Sequence, residues 1–153
     1  MVTINSDSVV LFLDFDGVLH PRGGALAGER FSKKSMLEEL LREPALLHIL
    51  LVISSTWREA YPLKSLVSIF SEDIQPRIIG ATPILNDIDA AYQRYREIKA
   101  WLIRHPEVNR WVALDDAAGD FPQDGRLSSV FTDPDIGLKN SDIDSLRRLL
   151  ERA

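Results

Sequence analysis

A chain of 153 residues, 45% hydrophobic and 27% charged, has the size and balance of one soluble globular domain with a real core, expected to span 1–153. A net charge of −5 argues against a protein that coats nucleic acid in general, while leaving room for a local basic patch. With no cysteine, disulfide scaffolds, thiolate metal sites and cysteine nucleophiles are excluded. The opening residues MVTINSDS carry no basic stretch, and the apolar run after them is broken at Asp14. Neither a secretory signal nor a membrane span is therefore expected, and a cytoplasmic location is the default.

In chain order, an apolar run over 9–14 reads as one buried strand. It leads into Asp14, Asp16 and Gly17 within LFLDFDGVLH. Residues i and i+2 of a strand point the same way, so both acids are expected to face one site where the strand stops. Gly17 lets the backbone turn tightly against a ligand. The carboxyl end of a buried strand is where open α/β sheets place ligands; the plainer alternative is a solvated acidic turn. Residues 21–34 read as a Gly-containing loop. A helix is expected from Ser35, with Glu38 completing a capping box and Met36, Leu37, Leu40 and Leu41 on one face, until Pro44 interrupts it. Residues 48–53 form an aliphatic run of the parallel-strand type, followed by Ser54, Ser55, Thr56, Trp57 and Arg58. Leu63, Leu66, Val67 and Phe70 mark the next helix. Ile78 and Ile79 make a short strand closed by Gly80. The longest helix is expected over 89–104, with Ala91, Tyr95, Ile98, Trp101 and Leu102 facing inward. A strand over 111–114 ends in Asp115 and Asp116. Val130 and Phe131 supply another, and Ile143, Leu146, Leu149 and Leu150 a final amphipathic helix. Strands alternating with helices predict an α/β fold, a three-layer α/β/α arrangement around a mainly parallel sheet.

If the strands are parallel, Asp14 with Asp16, Ser54 with Ser55, and Asp115 with Asp116 share one edge of the sheet. Four carboxylates gathered there repel one another unless a cation sits among them. Hard oxygen ligands without His or Cys favour Mg²⁺. A hydroxyl and a cationic side chain alongside complete a phosphate site.

DFDGVL resembles the first motif of the haloacid dehalogenase-like (HAD) superfamily, a hydrophobic strand followed by Asp-x-Asp-Gly. ISS at 53–55 resembles the second motif and LDD at 114–116 the fourth. The order LDFDGVLHP, ISSTWR, IIGATP, REIKAWL, WVALDD, TDPDIGL is similar to that of the HAD domain found in Swiss Army Knife RNA repair proteins, from Leu11 to the last helix. The resemblance implies a doubly wound Rossmann-like fold and phosphoryl transfer through an aspartyl-phosphate. It implies Asp14 as nucleophile and Asp16 as the acid that protonates the leaving oxygen and then activates water. It further implies Mg²⁺ held by the Asp14 carboxylate, the Asp16 backbone carbonyl and Asp115, with Asp116 close by or acting through water, and Ser54 bonding a phosphoryl oxygen. The residue chemistry agrees: one carboxylate must be ionised, and its neighbour must be free to carry a proton. The third motif requires a Lys or Arg at the start of the helix before the acidic pair. Arg94, Arg96 and Lys99 compete for it, and Arg94 is favoured as the earliest on that helix.

Gly17, Ser55 and Arg58 are further candidates for substrate contact. His20 either lines the pocket or packs, and Trp57 either stacks a base or packs at the rim. Asp120 is a candidate brace for the metal site, Thr132 and Asp133 candidates for the border of the cleft, and Trp101 and Trp111 for the core. The spacing leaves room only for a minimal cap, so the site is expected to be open. Arg22, Arg30, Lys33 and Lys34 against Glu29 give the loop a positive rim, the plainer alternative being a solvated loop. The expected activity is a Mg²⁺-dependent phosphomonoesterase acting on a nucleic-acid end or nucleotide, with no membrane partner. A HAD-like phosphate-binding module without turnover and a small-molecule phosphatase remain open as alternatives. A receiver-type signalling domain would not carry Asp-x-Asp-Gly together with a later Asp-Asp.

Overall fold

The structure, a computed structural model, describes residues 2–24, 28–87 and 89–153. Five strands, β1 (Val9–Leu13), β2 (Ile49–Ile53), β3 (Ile78–Ala81), β4 (Arg110–Asp115) and β5 (Ser129–Phe131), form one sheet in the order β3-β2-β1-β4-β5. Every pairing is parallel. Helices α1 (Lys34–Leu41), α2 (Leu63–Val67), α3 (Gln93–Arg104), α4 (Gln123–Arg126) and α5 (Asn140–Arg152) connect and cover the strands. This is the expected three-layer Rossmann-like α/β fold. No helix among the described residues is long and apolar enough to cross a membrane.

β1 sits at the centre with all five residues buried, which is why its sequence is continuously aliphatic rather than alternating. Its odd residues Val9, Leu11 and Leu13 enter one core layer with Leu37, Leu40 and Leu41 of α1 and Leu146 and Leu150 of α5. Its even residues Val10 and Phe12 enter the other, with Ile98 and Trp101 of α3 and with Phe121. The strand order reverses between β1 and β4, and the crevice outside the carboxyl ends of an open α/β sheet forms at such a point. Leu13 is level with Ile53 on one side and Leu114 on the other, so Asp14, Ser54 and Asp115 leave the sheet at the same height.

Several local expectations give way to tertiary structure. The Ser35–Glu38 capping box does not form, because buried Glu38 instead accepts hydrogen bonds from the Ser71 N–H and hydroxyl, both at 2.8 Å. α3 begins at Gln93 rather than 89, because Tyr92 stands in the left-handed region at φ 59°. Ala91 is consequently exposed instead of facing inward. β3 continues through Gly80 to Ala81, whose partner across the sheet is Ile53 of β2. Trp101 is core as expected, whereas Trp111 and Leu149 are only partly buried. Within the expected loop over 21–34, residues 25–27 lie outside the described residues, and Lys34 already belongs to α1. Among the described residues, the connections from β1 to α1 and from β2 to β3 contain no folded cap.

Candidate active site

The crevice brings three carboxylates together. Asp14, Asp115 and Asp116 each offer an oxygen, and these oxygens all lie within 4.8 Å of one another. Asp14 is 3% exposed and Asp115 1%. Burial, reinforced by the Asp115 charge, pushes the Asp14 carboxyl well above the usual carboxylate range, against the pull of Arg94. Burial likewise pushes Asp115 up to about 6, although Arg94 and the Ala117 N–H both oppose the shift. Ionising all three acids with one arginine nearby leaves excess negative charge in a dry site. Oxygen-only donors of that charge suit a hard divalent cation.

The sign of the pH dependence follows. A carboxyl whose folded pKa is raised holds its proton after the unfolded chain has released its own, so stability falls as pH rises from about 4 through about 6. A divalent cation bound among the three carboxylates would take the proton's place. We expect Mg²⁺ to raise the melting temperature more at pH 7.5 than at pH 5, as read by thermal melts with metal or chelator. An equal increment at the two pH values would overturn the assignment of the cluster as a cation site.

Asp16 does not join this cluster. β1 ends at Leu13, and the chain turns at once, with the Val18 and Leu19 N–H groups both bonding the Phe15 carbonyl. The strand rule that aimed Asp14 and Asp16 the same way therefore stops applying, and three carboxylates converge instead of four. The Asp16 carboxylate accepts the His20 Nε2–H at 2.7 Å on one oxygen and the Trp57 Nε1–H at 3.0 Å on the other. His20 is fully buried and its Nδ1 accepts the Phe31 N–H at 3.2 Å, which leaves the proton on Nε2. Asp16 itself is 46% exposed at the side chain. His20 and Trp57 thus both pack, but around the second acid of the motif.

Of the three competing cations, Arg94 reaches the cluster. Its Nε lies 3.2 Å from Asp115 and its Nη2 3.8 Å from Asp14. Arg96 bonds the Ala91 and Asp87 carbonyls, and Lys99 lies over the Tyr95 ring at 5.8 Å. Arg94 Nη1, Ser54 Oγ and Thr82 Oγ1 are buried without hydrogen-bond partners among the described residues. Leaving such groups unsatisfied costs about 1–3 kcal/mol each, so a ligand with acceptor oxygens is the natural complement to the arginine and the serine.

Arg58, in the wall of the cleft, is held mainly by the protein itself. Its guanidinium is committed to the Ser55, Thr82 and Pro83 carbonyls and to Glu97 at 2.8 Å, with both charged side chains about 95% buried. It braces the loop after β3 against α3, three residues beyond Arg94, with four of its five N–H groups engaged. Ser55 accepts the Trp57 N–H at 3.2 Å and so starts the short helical turn Thr56–Glu59. Gly17 has φ +76°, and a Cβ there would overlap the Asp116 carboxylate, so the glycine is required twice over. Thr132 donates to the Gly17 carbonyl at 2.6 Å and holds that turn. Asp120 lies in the wall of a cleft of about 540 Å³ beyond Arg94, not among the clustered acids.

Sequence reasoning missed Glu97 and Thr82. Glu97 sits one turn after Arg94, a spacing that sets both on one helix face. Thr82 follows Ala81, which pairs with Ile53 just before Ser54. Its signal is a hydroxyl directly after a short strand.

Comparison with curated proteins and with solved structures gave no match. Residues 10–143 match the family described as the HAD domain in Swiss Army Knife RNA repair proteins. That span contains every residue of the site, from Asp14 to Thr132, and the family is one of phosphatase-type hydrolases. The chain belongs to the HAD domain family of Swiss Army Knife RNA repair proteins.

Proposed function

We propose that the chain is a Mg²⁺-dependent phosphomonoesterase that works through an aspartyl-phosphate on Asp14 and acts on a phosphorylated nucleic-acid end. The observation carrying this reading is the meeting of Asp14, Asp115 and Asp116 with Arg94 beside an unpartnered buried Ser54 hydroxyl. In this reading Arg94 Nη1 and Ser54 Oγ bind phosphoryl oxygens. A carboxylate oxygen of Asp14 attacks phosphorus as the ester bond opposite breaks, and Asp16 gives its proton to the leaving oxygen. In the second half, Asp16 takes a proton from a water that attacks the phosphoryl group, freeing inorganic phosphate and Asp14. The Asp14 carboxylate, the Asp16 backbone carbonyl and Asp115, with Asp116 alongside, would hold Mg²⁺, whose charge would offset the repulsion between an anionic nucleophile and an anionic substrate.

The nucleic-acid part of the proposal draws on the RNA repair context that the family description names. It draws also on the uncapped site, which cannot enclose a small substrate, and on the exposed Arg22 and Arg30 of the loop after the first motif. Phosphate release should be measured over oligonucleotides with 3′- or 5′-terminal phosphates, mononucleotides and sugar phosphates, with Mg²⁺ and with chelator. The expected result is metal-dependent release with the highest kcat/KM on an oligonucleotide, an advantage that shrinks as salt rises. Release from none of them would overturn the phosphatase. A free nucleotide or sugar phosphate hydrolysed equally well at all salt concentrations would overturn the nucleic-acid substrate.

A further inference from the structure

Two cavities flank the candidate centre, and they differ in charge. The cleft beyond Arg94 is lined by Glu59, Glu97 and Asp120, while its two arginines are already ion-paired. Such a lining repels a second phosphate. On the Asp16 side lies a pocket of about 210 Å³ bounded by Arg30, Phe31, Trp57 and Tyr61, with Leu66 and Ile69. It is smaller than the roughly 300–1,000 Å³ of a drug-sized site, and so suits one planar ring system.

Its walls are aromatic and held in place. The Trp57 and Tyr61 rings lie 5.5 Å apart at 34°, and the Phe31 ring lies 5.2 Å from Trp57. Trp57 is pinned by its hydrogen bond to Asp16. Phe31 is fixed in the left-handed region at φ 56°, with its N–H bonded to buried His20. The Arg30 guanidinium carbon stands 5.5 Å from the Trp57 ring centre. Tyr61 is 49% exposed and Arg30 is exposed, so the mouth opens to solvent.

Resting on the phosphatase reading, we infer that this pocket receives the base of the nucleotide bearing the scissile phosphate, while Arg30 meets a neighbouring phosphate. A leaving oxygen must stand beside its proton donor. Asp16 is joined to Trp57, and Trp57 is the pocket wall, so whatever hangs from the leaving oxygen extends toward these rings. A flat π-face followed by an anion matches aromatic walls with a cation at the mouth. A backbone of successive phosphates also takes the Arg30 side in preference to the acidic cleft.

The test compares the affinity of the full chain for a terminally phosphorylated oligonucleotide, labelled at its far end, with that for the same strand carrying an abasic terminal residue. Asp14→Asn prevents turnover during the measurement. One base–aromatic stack gives roughly a 5- to 150-fold preference for the base-bearing end. Tyr61→Ala should bring that ratio close to one. So should Ser65→Trp, which fills the pocket from an exposed helical position. Arg30→Ala should instead lower the slope of log affinity against log salt by about one. Equal affinity for the two ends, a ratio that survives both pocket variants, or tighter binding of a phosphotyrosyl peptide would each overturn the inference. Phosphate release by the parent chain is scored separately: its absence removes the phosphatase, whereas the affinity ratio still judges the pocket.

Discussion

Asp14→Asn should abolish turnover while leaving the metal-free fold as stable as the parent or more so. On the proposed mechanism the carboxylate oxygen forms the bond to phosphorus, and an amide oxygen cannot replace it. Losing a covalent nucleophile costs on the scale of 10⁶-fold in kcat, about 8 kcal/mol in the barrier. Stability runs the other way. The carboxylate is buried beside Asp115 and Asp116, and its ionised form is disfavoured there. Asparagine keeps an oxygen to accept the Phe15 N–H, bonded at 2.8 Å in the parent, and removes the repulsion. Steady-state rates with a phosphomonoester, set beside thermal melts in chelator, check both signs. Near-parent turnover would eliminate Asp14 as nucleophile. A collapsed melting temperature would show that the charge supports the fold.

Asp16→Asn should slow turnover by roughly 10² to 10⁴, the usual worth of a positioned acid. The size of the loss should depend on the leaving group. A nitrophenol departs readily as an anion and needs little protonation, whereas a sugar or nucleoside alkoxide does not. The site adds a further component. Both Asp16 oxygens accept N–H donors, from His20 and from Trp57. An asparagine there presents its NH₂ to one of those donors, and His20 cannot change tautomer without losing the Phe31 N–H. One of the two bonds must open. The half-exposed position tolerates this, so a folded variant is expected, with a loss larger for alkyl than for aryl phosphates. An identical loss across leaving groups would count against Asp16 as the proton donor.

The sheet was legible because burial leaves a strong mark. Runs such as VVLFL and ILLVI are apolar on both faces only when helices cover both sides, and their termini carried the Asp, Ser and Asp-Asp that the parallel register brings level. Arg94 was legible for a related reason, since a helix returning to a parallel sheet points its N-terminus at the strand ends. What escaped depended on partners distant in the chain. That Glu97 and three carbonyls engage most of the Arg58 guanidinium could not be read from its neighbours in sequence. The divergence of Asp16 from Asp14 depends on Phe15, which packs against Phe31, Trp57 and Phe70 and turns the chain just past β1. Period-two reasoning holds inside a strand and has no authority one residue beyond it. Glu38 fitted a local capping pattern, and Ser71 outcompeted that pattern through tertiary contact.

The central place of β1 bears on how the chain is made. Val9 pairs with Ile49 on one side and with Arg110 on the other, so one edge of this aliphatic strand stays bare until residues 110–115 leave the ribosome. A bare apolar strand is a template for pairing with another molecule. Asp14 and Asp16 stand at its end as charges of the kind that block such pairing. Asp14, which burdens the finished fold with repulsion, therefore protects the unfinished one, and neutralising it trades solubility of the nascent chain for stability of the native state.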